Sequence, residues 1–103
     1  MANSYTENLQ LTAPLESAKK KVEEALMKAG FKMSKWVDQQ QAFYSESSVT
    51  IWSWGEDIMV RFQENENGTQ IQFTSSCKLS TQIIDWGKNK KNAKKFMLAL
   101  DQS

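Results

Sequence analysis

The chain has 103 residues, which is enough for one domain. Hydrophobic residues make up 40% and charged residues 24%, with 13 bases against 12 acids and a net charge of +1. That balance excludes a highly charged disordered chain and gives no electrostatic reason to expect a polyanion as the main partner. With no histidine and one cysteine, an intrachain disulfide and a His/Cys zinc cage are both excluded. No apolar run approaches the ~20 residues of a membrane span, and the first residues lack the basic and apolar regions of a signal peptide. A lone Cys77 fits a reducing compartment. The expectation is one cytoplasmic domain over residues 1–103, without a membrane span or a cofactor.

Residues 3–12 alternate weakly through Tyr5, Leu9 and Leu11 and predict an edge strand. Pro14 and Gly30 then bracket a helix in the expected order of start and stop residues. Between them Leu15, Ala18, Val22, Ala25, Leu26 and Ala29 recur at helical spacing. Glu16 and Lys20 form a favourable i,i+4 pair on its wet side. Strands are predicted over 31–38, 42–54, 58–64 and 69–77, with a glutamine turn after the first of these.

Two turns set the expected register. Asn67-Gly68 is a strong two-residue hairpin signal because both residues tolerate positive φ. It places Phe62 opposite Phe73, Val60 opposite Ser75 and Ile58 opposite Cys77. Gly55-Glu56 offers a second tight turn, with Trp54 opposite Asp57 and Ile51 opposite Val60. Both registers gather Val49, Ile51, Ile58, Val60, Phe62, Ile71 and Phe73 on one face. The other face receives Thr50, Trp52, Trp54, Met59, Arg61, Gln63, Gln70, Gln72 and Thr74.

Residues 78–87 form a loop with Ile83, Ile84 and Trp86, and a last helix runs from Asn89 to Leu100. Asn89 is its expected N-cap, and Ala93, Phe96, Met97 and Leu100 its apolar stripe. The order is β-α-β-β-β-β-α. The class is α+β, an antiparallel sheet of four to five strands with two helices on one face. Charge is uneven along the chain. Asp38 to Glu66 holds six acids and one base, and Lys78 to Lys95 six bases and one acid.

Ser75-Ser76 followed by Asp85-Trp86-Gly87-Lys88-Asn89-Lys90-Lys91-Asn92 resembles a bacterial domain-of-unknown-function family. That family carries serines on its last strand, then an Asp-x-Gly-x-Asn segment and a basic terminal helix. Gly30-Phe31 and the Trp54-Gly55-Glu56-Asp57 corner match in order, and the resemblance spans roughly residues 14–100. It implies no activity. Trp86 stands where the family pattern has leucine. The element order is also similar to helix-grip and TBP-like folds, whose curved sheets cradle ligands or bind nucleic acid; that similarity is topological.

Without histidine, a general base would have to be a carboxylate, lysine or tyrosine. The adjacent Glu56 and Asp57 read more simply as solvated turn acids than as a hydrolytic pair. Cys77 reads as a small buried residue rather than a nucleophile, so an enzyme is not expected. Asp85, Asn89 and Asn92, aided by Lys88, could form a polar binding cluster at a helix N-terminus. The plainer reading gives each a backbone task, with Gly87 at positive φ.

Trp52, Trp54 and Arg61 on the outer sheet face, with Trp86 nearby, suit stacking on a planar ligand or burial against another subunit. A bulge would instead turn both indoles inward. Lys88, Lys90, Lys91, Lys94 and Lys95 suit a polyanion, although charge runs on a terminal helix are commonly just solvated. The leading expectation is a non-enzymatic binding or interaction module. It would use the outer sheet face or a sheet–helix groove, engage a protein or small ligand, and could form a homodimer. The alternative is sequence-tolerant nucleic-acid binding through those lysines and the tryptophans.

Overall fold

A computed structural model describes residues 4–47, 55–77 and 87–101. Strand β1 (Ser4–Leu11) leads to helix α1 (Leu15–Lys28), then β2 (Lys32–Val37), a 3-10 turn (Asp38–Gln40), β3 (Ala42–Glu46), β4 (Glu56–Asn65), β5 (Gly68–Cys77) and helix α2 (Lys88–Asp101). The five strands form one antiparallel sheet in the order β1-β5-β4-β3-β2. The expected α+β class and element order are therefore observed, with five strands.

Helix α1 starts and stops for local reasons. Pro14 precedes its first residue in extended conformation, and its carbonyl accepts from Ala18 N at 2.9 Å. At the other end Gly30 takes φ +88°. Gly30 N then bonds Met27 O and Phe31 N bonds Leu26 O, both at 3.0 Å, which is the Schellman pattern. The buried stripe is Ala18, Val22, Ala25 and Leu26. Glu16 pairs with Lys19 at 3.8 Å rather than with Lys20. The half-buried Lys19 is held there because its ammonium also lies 4.0 Å from the centre of the Trp36 ring.

The helices share one sheet face. Ile58, Val60, Phe62, Ile71 and Phe73 point into the layer between, as expected, and meet Phe31, Phe43 and Phe96. Phe73 stacks on Phe96 at 4.8 Å. Trp36, Phe43 and Phe62 pack edge to face at 5.0–5.9 Å. Such ring pairs contribute about 0.5–1.5 kcal/mol each beyond their buried area.

Both expected registers are corrected. In the β4–β5 hairpin Phe62 lies opposite Ile71, Val60 opposite Phe73 and Ile58 opposite Ser75. This is a slip of two residues, which keeps every side chain on its face. The turn residues are Glu66 and Asn67, and neither has positive φ; that conformation falls on Gly68 at +128°. The reason is long-range. A Cβ on Gly68 would lie 2.2 Å from Leu11 O and 2.9 Å from Ala13 N.

The second correction is larger. Strand β3 ends at Glu46 and pairs Phe43 with Val60, Ser45 with Ile58 and Glu46 with Asp57. Gly55-Glu56 is thus not a two-residue turn: Glu56 is already in β4, opposite Cys77. Val49, Thr50, Ile51, Trp52 and Trp54 lie outside the described residues, as do Ile83, Ile84, Asp85 and Trp86.

Candidate functional site

Among the described residues, one face of the sheet lies under the two helices and the other carries no helix. On the uncovered face Arg61 stands opposite Ala42 on one side and Gln72 on the other. Met59 and Gln63 lie two residues along the same strand and share this face. Beyond Gln72 comes Asn8 of β1, and beside Gln63 comes Gln70. The 3-10 turn sets Gln39, Gln40 and Gln41 at the rim. Gln41 takes a left-handed φ of 49°, and its carbonyl accepts from Phe62 N at 2.8 Å. Together these residues line a hollow of about 520 Å³, within the range of small-molecule sites.

Its electrostatics are simple. The exposed Arg61 makes no hydrogen bond or ion pair among the described residues. Among the described residues the hollow's lining contains no carboxylate. Asp38 beside the rim is already engaged, accepting from Trp36 Nε1 and Gln41 Nε2 at 3.3 Å. The outer-face acids Glu46 and Asp57 sit opposite each other farther along the sheet, with Lys35 and Tyr44, around a second hollow of about 480 Å³. A lone guanidinium inside a ring of neutral amides favours an anion, and amides match a ligand that both donates and accepts.

A third hollow, of about 330 Å³, is the sheet–helix groove. It lies between β1 and α2 and is lined by Tyr5, Glu7, Lys90, Lys94, Met97 and Leu98 among others. Tyr5 Oη donates to Glu7 Oε1 at 2.7 Å. That bond, followed by desolvation and the negative charge of Glu7, holds the phenol above its ordinary 10.0. Because the folded value is raised, the associated stability is complete below pH ~10 and is lost as pH rises through the folded value. Glu7→Gln should bring the Tyr5 phenolate absorbance step back toward 10.0, read by ultraviolet titration in a Tyr44→Phe background.

The polar pair Asn89 and Asn92 is not presented to a ligand. Both are fully buried, together with Ser75 and Glu56, while Ser47 is nearly so. Asn92 Nδ2 donates to Glu56 Oε1 at 2.9 Å and to Ser75 Oγ at 3.0 Å. Ser75 Oγ donates to Asn89 Oδ1 at 2.7 Å, and Asn89 Nδ2 to Cys77 Sγ at 3.6 Å. Ser47 Oγ donates to Glu56 Oε1 at 2.6 Å and accepts from Glu56 N at 2.7 Å. Asn92 Oδ1 has no partner among the described residues. The network fastens the first half of α2 to the ends of β4 and β5.

Two further expectations are corrected here. Asn89 does not cap α2; it is the second helical residue and points inward, and the Gly87 carbonyl accepts from Lys91 N at 3.0 Å. Gly87 itself takes positive φ, 72°, as expected. Glu56 and Asp57 are neither turn acids nor a catalytic pair. Consecutive strand residues point to opposite faces, so Glu56 is buried in the core and Asp57 is exposed on the outer face. Sequence reasoning missed Glu56 and Ser47 as core polar groups. The available signal was that Asn89 and Asn92 share the helical stripe of Phe96 and Leu100.

Lys90, Lys91, Lys94 and Lys95 are exposed on α2, and Lys88 is half-buried. They belong to the helical layer, across the sheet from Arg61. Trp52, Trp54, Asp85 and Trp86 lie outside the described residues, so the tryptophan part of either expectation has no position here. Among the described residues no group of three or more acids and cysteines could hold a metal ion. No described helix is long and apolar enough to cross a membrane.

The protein thus falls in the class of α+β domains with two helices on one face of an antiparallel sheet and a polar hollow on the other. No family model matches the chain, and no curated protein does. Among solved structures it is similar to the crystal structure of TTHA0849 from Thermus thermophilus. The TM-score is 0.53 at 11% sequence identity, covering 96% of this chain and 94% of that one. The likeness is one of fold.

Proposed function

We propose that this protein is a non-enzymatic binding module whose outer sheet face receives a small polyhydroxylated anion, such as a sugar acid or sugar phosphate. Arg61 takes the anionic group, and the surrounding glutamines and Asn8 take hydroxyls. The observation that supports this most is the Arg61 guanidinium, unpaired among the described residues, in a hollow whose described lining holds amides and no carboxylate. An acid directly across the strand would stabilise an exposed arginine; here the cross-strand neighbours are Ala42 and Gln72.

Isothermal titration with glucuronate and with glucose 6-phosphate tests the reading, with glucose as the uncharged control. Arg61→Gln keeps an amide in place of the cation. A charged hydrogen bond contributes about 2 kcal/mol, so the variant should bind about thirtyfold more weakly. Equal binding of glucose and the two anions, or no effect of Arg61→Gln, would rule the reading out. The alternative, nucleic-acid binding by Lys88, Lys90, Lys91, Lys94 and Lys95, draws support from five lysines on one helix. It predicts salt-sensitive binding of single-stranded RNA that Arg61→Gln leaves unchanged.

A further inference from the structure

The two edges of the sheet differ. Strand β2, at one edge, carries Lys32 and Lys35, and its pairing with β3 shifts register between them. Lysines and irregular pairing are common means by which an edge strand resists adding another chain. Strand β1, at the other edge, has neither. Its eight residues, SYTENLQL, pair with β5 in one unbroken register. They include no lysine or proline, and Glu7 is their single charge.

In an antiparallel strand every second residue turns its N–H and C=O away from the neighbour. Among the described residues, the β1 main chain bonds only β5, apart from Leu11 O, which accepts from Gln10 Nε2 at 3.1 Å. The outward row of donors and acceptors is an open template for an extended chain. The β1 side chains already alternate. Tyr5, Leu9 and Leu11 are half-buried against the core, and Thr6, Asn8 and Gln10 are exposed on the outer face.

The strand that continues both rows is β1 of a second copy, run antiparallel. A two-fold axis perpendicular to the sheet must pass through a residue of β1, because facing residues share a side of the sheet. An axis through Glu7 would set two carboxylates directly opposite, which is unfavourable. An axis through Asn8 pairs the whole of Tyr5–Leu11 and keeps the carboxylates apart. Axes through Thr6 or Leu9 pair a shorter stretch. With Asn8 on the axis, Tyr5 faces the partner's Leu11, Thr6 the partner's Gln10 and Glu7 the partner's Leu9.

We infer that β1 is a homodimer edge, joining two copies into one continuous sheet with Asn8 on the two-fold axis. The pairing adds about six to eight main-chain hydrogen bonds. Helix α2 lies over β1 and β5. Two strand spacings then separate the two α2 helices, ~10 Å, which is a normal packing distance. Met97 and Leu98 line the groove between β1 and α2 and fall at that contact; Leu98 is 63% exposed in the single chain. Lys90, Lys94, Glu7 and Asp101 line the same groove, so the second copy meets both signs of charge. On the outer face the row Arg61, Gln72, Asn8 runs on into the partner's Asn8.

Sedimentation equilibrium over a wide range of protein concentration tests this with Asn8→Asp and Asn8→Lys. Asn8 is exposed and its side chain makes no hydrogen bond among the described residues, and circular dichroism checks that each variant is folded. The expected result is a parent that dimerises as concentration rises. Each variant sets like charges together at the axis and should associate at least about tenfold more weakly. An equimolar mixture of the two sets aspartate against lysine there and should regain dimers as a heterodimer. A parent that stays monomeric at the highest concentration overturns the inference and leaves the edge to an extended segment of another protein. Variants that associate like the parent, or a mixture without heterodimers, would equally overturn it. Arg61→Gln should leave the dimer unchanged, which separates this outcome from that of the ligand reading.

Discussion

Alanine at position 92 is expected to lower the unfolding free energy by about 3 kcal/mol, the upper part of the range for single substitutions. Asn92 supplies the donors that join Glu56 to Ser75 inside the core. Its loss leaves a carboxyl oxygen and a hydroxyl with fewer partners at full burial, and groups left short in this way cost about 1–3 kcal/mol each. A cavity adds to that. For a domain of this size the melting temperature should fall by about 4–8 °C per kcal/mol. Ser75→Ala should interact with Asn92→Ala non-additively, since the two side chains are bonded directly. Urea denaturation of the two single variants and the double variant measures both effects. A loss below ~1 kcal/mol for Asn92→Ala, the scale of an ordinary exposed hydrogen bond, would show that the network is not closed in solution.

Gly68→Ala is the second large expected effect. The added methyl would stand 2.2 Å from Leu11 O, 2.9 Å from Ala13 N and 3.0 Å from Thr12 Cα. All three are backbone atoms, so no side chain can swing aside. The residue also has φ +128°, which alanine strongly disfavours. The variant must either push the end of β1 away from β5 or change the hairpin, at a cost of about 4 kcal/mol. Gly30→Ala is the control. It too has positive φ, +88°, but nothing lies within 4 Å of a Cβ there. It should cost only about 1–2 kcal/mol, the backbone penalty alone. Comparable urea midpoints for the two variants would contradict the close approach of β1 to Gly68.

These two sites also mark how far the sequence could be read. Helix α1 was legible because its start, its stop and its buried stripe are all local signals. The inner faces of β4 and β5 were legible because alternation has a period of two. The same alternation cannot detect a slip of two residues, and that is the error in the hairpin register. Asn67-Gly68 carries a local preference for a tight turn. What decides the position of Gly68 is the end of β1, far away in the chain.

Glu56 was misread for a related reason. Next to Gly55 and Asp57 it looks like a solvated turn acid. Its actual partners, Ser47 and Asn92, come from β3's end and from α2. On the outer face Arg61 could be placed from parity alone. The amide ring around it could not, because Gln39–Gln41 and Asn8 reach the hollow from the 3-10 turn and from the edge strand.

The proposed binding surface is the outer sheet face, with Arg61 at its centre. A map of backbone amide shifts in ¹⁵N-labelled protein during titration with glucuronate locates the bound ligand. Saturable shifts are expected at Gln39–Gln41, Arg61, Gln63, Gln70 and Gln72, with the midpoint moved to about thirtyfold higher glucuronate in Arg61→Gln. Shifts centred on α2, or an unchanged midpoint in Arg61→Gln, would overturn that reading.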